Sequence, residues 1–311
     1  MAIEKIAIIG LGAMGNSLAT FLLKAGYPLT GYDILEDRIA RLVGRGLKPA
    51  KSPAAAAAGQ DLVILSLPNW SIVQTVVEGA GGLLETMRKG QIVVDTSTVP
   101  PGETKAMADR LAMHGIDWMD VPISGAANQA REGNMVFMAG GKKATFNKIK
   151  PVLDQVGKKT VYVGKNGDGV RLKLVVNQTL FLNQAAAVEG LTVGLKAGLD
   201  PEVMLDVLTS GAAGSDLLAA RGRDMLQGNF KAKGALWITI KDLGLALESA
   251  RQLGVVLPMA GLYQQLLLSA QYSGWNHLDA TVVMKTYQQM TASGCAKTRP
   301  PSRKKVQKPS K

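Results

Sequence analysis

Lys173 and Asn177 lie four residues apart in the run Gly169-Val170-Arg171-Leu172-Lys173-Leu174-Val175-Val176-Asn177. On a helix that spacing puts both on one face, about 6 Å apart along the axis. A lysine withdrawn from water has a lowered pKa and exchanges a proton near neutral pH. The carboxamide could hold a substrate oxygen or orient the amine. The competing reading is a solvated lysine on an amphipathic helix, against which stand the apolar flanks Leu172, Leu174, Val175 and Val176. Ser124-Gly125-Ala126 is a second candidate. A hydroxyl beside small residues exposes N–H groups that can cradle a carboxylate, or it forms an ordinary turn. Lys241 is a third, set among Trp237, Ile238, Ile240, Leu243 and Leu245. It either snorkels to the surface or brings a second cation into a site.

A phosphate-binding pattern stands at the other end of the chain. Ile6 to Ile9 read as a buried strand, followed by Gly10-Leu11-Gly12-Ala13-Met14-Gly15, a helix from Ser17 to Ala25, and a strand Leu29–Tyr32 ending in Asp33. Strand, G-x-G-x-x-G, helix, strand and acid within about 30 residues is the dinucleotide-binding arrangement. Gly10 allows the tight turn, Gly12 lets backbone approach a pyrophosphate, and Gly15 lets helix and strand pack closely. The helix N-terminus offers N–H donors to the phosphates. Asp33 is placed to accept hydrogen bonds from the ribose hydroxyls of NAD and to repel the 2′-phosphate of NADP. Arg38 and Arg41, on the following helix, could soften that repulsion. The balance favours NAD, with NADP second.

The elements that must position these residues alternate. Helices are expected at 52–59, 72–77 and 104–114, and strands at 61–67, 91–95, 116–121, 136–141 and 160–163. Continuous apolar strands between helices indicate a parallel sheet covered on both faces, with ligands at the strands' carboxyl ends. That rule places Leu67-Pro68, Ser97-Thr98 and Pro122 to Gly125 along one crevice. From Gly169 onward only helices are expected, at about 169–197, 201–209, 215–227, 237–254, 257–273 and 278–292. The expected class is α/β: a Rossmann-type N-terminal domain with a parallel sheet, then an all-α domain. The boundaries read as 1–164 for the dinucleotide domain, 165–293 for a substrate and oligomerisation domain opened by a long interdomain helix, and 294–311 for a basic disordered tail.

Composition narrows the function classes. The 311 residues, 47% hydrophobic and 19% charged, can bury two cores. No apolar run is long enough for a membrane span, and the early strand leaves no room for a signal peptide. One cysteine, Cys295, fits a reducing, cytoplasmic setting. The net charge of +12 is concentrated in residues 297–311, which hold seven Lys/Arg and no acid, leaving about +5 for the rest. Mild basicity suits anionic small molecules. The tail reads as a solvated terminus or as a weak contact to nucleic acid or an acidic surface, so nucleic acid is not the expected main partner. A non-catalytic dinucleotide sensor using that tail is the reading from another class.

Other chemistries fit poorly. His114 reads as a surface cap at a helix end and His277 lacks an acid–arginine constellation; with one cysteine they make no ordinary catalytic zinc site, so no metal is expected. Tyr162-Val163-Gly164-Lys165 falls one residue short of a Tyr-x-x-x-Lys pair. Lys173 is the remaining acid/base candidate.

Four motifs in order resemble the β-hydroxyacid dehydrogenase family over about residues 4–292: Gly10 to Gly15, Asp120-Val121-Pro122-Ile123-Ser124-Gly125, Gly169-x-x-x-Lys173-Leu174-x-x-Asn177, and Lys241-Asp242-Leu243. The resemblance implies reversible oxidation of a small β-hydroxy acid to its semialdehyde with a nicotinamide cofactor. It implies Lys173 as the catalytic lysine, Ser124 and the Gly125 backbone as the carboxylate anchor, and Asn177 as a substrate-orienting residue. Lys241 would lie near nicotinamide and substrate, and Leu67, Pro68 and Thr98 would touch the cofactor. Ala126 stands where the family usually has a second glycine, which implies a reshaped substrate pocket. Ile72 stands where some members place an asparagine against the cofactor. The family further implies a homodimer or homotetramer joined through the α domain, and an NADPH-dependent glyoxylate or succinic semialdehyde reductase is the alternative within it.

Overall fold

The computed structural model describes residues 3–125 and 127–293. The strands are β1 Ile6–Ile9, β2 Leu29–Tyr32, β3 Lys48–Pro49, β4 Leu62–Leu65 and β5 Ile92–Asp95. They continue with β6 Asp117–Asp120, β7 Ile123–Ser124, β8 Val136–Gly140 and β9 Lys159–Gly164. The helices between them are α1 Ala13–Lys24, α2 Glu36–Val43, α3 Pro53–Ala57, α4 Trp70–Glu78, α5 Pro101–Met113, α6 Ala127–Arg131 and α7 Lys143–Leu153. The helical half comprises α8 Asp168–Lys196, α9 Pro201–Ser210, α10 Asp216–Leu226, α11 Leu236–Gln252, α12 Pro258–Tyr272 and α13 Val283–Ser293.

One sheet runs in the order β3-β2-β1-β4-β5-β6-β8-β7, with β9 paired to β8. The pairs from β3 to β6 are parallel, which is the doubly wound dinucleotide-binding order. The sheet is therefore mostly parallel rather than wholly so. β8 runs antiparallel to both β6 and β7, while β9 runs parallel to β8. Residues 121–135 between β6 and β8 are taken up by β7 and the five-residue α6, so no full crossover helix returns the chain to a parallel start. α1 also begins earlier than Ser17, inside the glycine motif at Ala13. α7, absent from the sequence reading, lies in a lysine-rich stretch with Pro151 inside it, which blurs the helical period.

Alternate strand residues feed opposite cores. Ile6, Ile8, Ile64 and Val94 face one helical layer, and Ala7, Ile9, Leu65 and Val93 the other. Val170, Leu174 and Ala246 join the second of these clusters. Helix α8 is thereby seated directly on the sheet, and α11 packs against α8. The remaining helical core gathers Phe181, Leu191, Leu236, Tyr263 and Leu267. An N-terminal Rossmann domain thus precedes a helical domain. No helix among the described residues is long and apolar enough to cross a membrane.

Candidate active site

The glycine loop is built by close approach. Gly10 has φ +89°, and a Cβ there would lie 2.3 Å from Ser66 O. A Cβ at Gly15 would lie 1.9 Å from Gly10 O, so helix and loop meet only through glycine. Gly12 instead faces open space, its nearest neighbour being Arg38 Nη1 at 4.0 Å. Gly12 also gives α1 no side-chain cap, leaving first-turn N–H groups for an anion. The donors and the open cradle fit a dinucleotide pyrophosphate.

Asp33 closes the loop from the side. Its Oδ2 accepts from Leu11 N–H at 2.7 Å and its Oδ1 from Leu35 N–H at 2.9 Å. Arg38 Nη1 approaches Oδ2 at 3.3 Å. Arg41 turns away to pair with Asp37, so of these two arginines Arg38 alone stands beside Asp33.

A crevice of ≈ 590 Å³ runs from this loop to the helical domain. Gly10, Gly12, Ala13, Met14, Asp33, Leu67, Pro68 and Thr98 line its nucleotide end. Gly125, Lys173 and Lys241 line the other end, with Trp237 and Ile238 as an apolar wall. Ile72 also borders it. Leu11 and Gly15 shape the loop from behind rather than lining the crevice, and Ser124 and Asn177 do not line it either. Ser124 ends β7, half-buried, directly before Gly125. Ala126 lies outside the described residues.

Lys173 is one turn into α8 and its amine donates no hydrogen bond to a described residue. Burial lowers its pKa to about 8, Asp242 acts in the opposite sense, and Lys241 reinforces the lowering. Asn177 is buried, and its Nδ2 donates to Asp242 Oδ2 at 2.8 Å. Asp242 Oδ1 lies 2.8 Å from Lys241 Nζ, which also donates to Thr98 O at 2.7 Å. One carboxylate therefore holds a lysine and an amide, and acts on Lys173 through its charge alone. Sequence reasoning noted Asp242 only as a motif letter. An acid in an otherwise apolar helix beside a lysine was the signal that could have singled it out. Lys241 is not a surface snorkel: its amine reaches across to the end of the sheet.

Two further carboxyl groups sit side by side at the ends of β5 and β6, where Asp95 and Asp120 are register partners. Burial raises Asp95 to about 7, and its Oδ1 accepts from Ser97 N–H at 2.9 Å.

The crevice thus joins a dinucleotide cradle to a lysine of lowered basicity. A family profile described as the NAD binding domain of 6-phosphogluconate dehydrogenase matches residues 5–164. A second, described as NAD-binding of NADP-dependent 3-hydroxyisobutyrate dehydrogenase, matches residues 167–287. The chain belongs to the β-hydroxyacid dehydrogenase family. A 2-(hydroxymethyl)glutarate dehydrogenase of Eubacterium barkeri is 38% identical over 92% of this chain and 96% of that enzyme. A 2-hydroxy-3-oxopropionate reductase of Escherichia coli is 33% identical over 92% of this chain and 98% of the other. The crystal structure of a 3-hydroxyisobutyrate dehydrogenase from Salmonella typhimurium superposes with a TM-score of 0.84 at 30% identity, covering 91% of this chain and 99% of that one.

Proposed function

We propose that this chain oxidises a small β-hydroxy acid to its semialdehyde, reversibly, with NAD preferred and Lys173 as general acid/base. The observation that carries the reading is the Lys173 amine, lowered to about 8, in the same crevice as the glycine loop. When bound, the nicotinamide supplies hydride chemistry. Lys173 Nζ takes the substrate hydroxyl proton in oxidation and returns it to the carbonyl oxygen in reduction. Ser124 and the Gly125 backbone hold the substrate carboxylate. Asn177, tied to Asp242, keeps the helix face in register, and Lys241 adds positive charge beside the carboxylate.

The test follows nicotinamide absorbance with a panel of β-hydroxy acids and semialdehydes, using NAD and NADP separately. NAD is expected to give at least tenfold higher kcat/KM, because the Asp33 carboxylate faces the ribose. Asp33→Asn should erase most of that preference. No turnover with any carboxylate-bearing β-hydroxy acid would overturn the reading. The Arg38 guanidinium beside Asp33 favours a second reading, NADPH-dependent reduction of glyoxylate or succinic semialdehyde. NADPH outpacing NADH would establish it.

The same proposal takes residues 1–164 as the nucleotide unit and 165–293 as the substrate and oligomerisation unit, supported by the break between the two family profiles. It includes a reducing, cytoplasmic setting, supported by the single cysteine. The tail from 294 lies outside the described residues. The proposal also includes a homodimer or homotetramer. Val175, Thr179, Ala186, Gly190 and Val193 make an exposed, small and apolar face along α8. Sedimentation velocity should find an oligomer, and Val193→Arg should shift it toward monomer. A wild-type monomer at micromolar concentration would refute this part alone.

A further inference from the structure

Helix α8 has no cap of its own. Its N-cap is Gly167, at φ +89°, and no side chain of the local chain bonds its first-turn amides. Asp168 is occupied elsewhere, accepting from Lys165 N–H at 3.0 Å and pairing with Arg171 at 2.7 Å. The cap comes from the end of β6. Asp120 Oδ1 accepts from Gly167 N–H at 2.9 Å, and Oδ2 accepts from Val170 N–H at 3.0 Å. Asp120 is fully buried, and the first turn of α8 is pressed onto it. A Cβ at Gly169 would lie 2.6 Å from Asp120 O and 2.9 Å from Oδ2. A Cβ at Gly140, on the neighbouring strand, would lie 2.8 Å from Oδ2. The contact therefore depends on glycine on both sides and leaves the helix little freedom to slide.

Two consequences follow from where this clamp sits. Val170, whose amide it holds, is less than one helical turn before Lys173. Gly125, five residues after Asp120, lines the reacting end with Ser124 directly before it, and β7 brings the pair there through the short link Val121-Pro122. One segment thus grips the lysine-bearing helix at one end and presents the carboxylate seat at the other.

We propose that Asp120 is a positioning residue that sets the distance between the substrate's carboxylate seat and the Lys173 amine. The inference rests on the roles given above to Lys173 and Ser124–Gly125. A displacement of about 1 Å between reacting groups costs on the order of 10²-fold in rate. A carboxylate accepts both N–H groups, an isosteric amide accepts fewer, and a methyl group accepts none.

The experiment compares wild type, Asp120→Asn and Asp120→Ala for kcat, KM, dinucleotide affinity by tryptophan fluorescence, and melting temperature. Asp120→Asn should fold, since it replaces a buried carboxyl with a neutral group of the same shape. Its kcat should fall about 10–100-fold, with KM within threefold and dinucleotide affinity within twofold of wild type. Asp120→Ala should lose more kcat than Asp120→Asn. A kcat for Asp120→Asn within threefold of wild type would overturn the inference. So would a loss matched by weaker dinucleotide binding and a collapsed melting transition, which is a structural role only. If Lys173→Ala abolishes turnover while Asp120→Asn stays within threefold of wild-type kcat, this inference alone fails. If Lys173→Ala retains turnover, the reading of the site fails first.

Discussion

Lys173→Ala is expected to lower kcat by about 10²–10⁴-fold while leaving dinucleotide affinity largely unchanged. The side chain is one turn into α8 and reaches the crevice without a hydrogen bond to any described residue, so its removal disturbs little else. The pH dependence carries the diagnosis. Burial holds the lysine near 8, well below its usual 10.5. Oxidation needs the free amine, so kcat/KM for the hydroxy acid should rise as pH climbs through about 8 and level above it. Reduction needs the ammonium, so kcat/KM for the semialdehyde should be full below about 8 and fall above it. Lys173→Ala should abolish both limbs. A variant within threefold of wild-type kcat, or one that keeps the wild-type profile in both directions, would remove Lys173 from the chemistry.

Asp242→Asn is expected to cost about 3 kcal/mol of transition-state stabilisation, or about 10²-fold in kcat/KM. The buried carboxylate holds Asn177 at 2.8 Å through one oxygen and Lys241 at 2.8 Å through the other. It also opposes the fall in Lys173's pKa. Replacing it with a neutral amide leaves two lysines facing each other without the intervening charge. The Lys173 pKa should drop further, moving the oxidation limb to lower pH and depleting the ammonium needed for reduction. Reduction near neutral pH should therefore suffer more than oxidation. An unchanged pH midpoint with normal kcat in both directions would show that Asp242 is only a packing partner of Asn177.

The parts of this molecule that could be read early are those governed by neighbouring residues. The glycine loop, the helix bearing Lys173 and Asn177, and the strands Ile6–Ile9 and Leu62–Leu65 each follow from spacing within a few residues. Backbone sterics and hydrophobic period act at that range. Helix α7 escaped because lysines and Pro151 break its period, and β8 was placed as a strand but not as a reversed one, because direction depends on the link that precedes it.

The roles of Asp242 and Asp120 depend on distance of another kind. Asp242 meets Asn177 across 65 residues of chain, and Asp120 meets Gly167 and Val170 across 47 and 50. An apolar surrounding hints that Asp242 is buried, but local sequence does not say what either acid bonds to. Asp120 and Asp242 were visible as motif letters from the outset, yet what each carboxylate bonds to, and whether it is dry, is settled by which helices pack on the sheet. The chain's own order of residues suffices to define a dinucleotide cradle, a lysine helix and their family. How far Lys173 stands from Ser124 and Gly125, and how basic it is, arise only when α8 meets the sheet and α11 packs against α8. Desolvation and charge pairing act through space rather than along the chain.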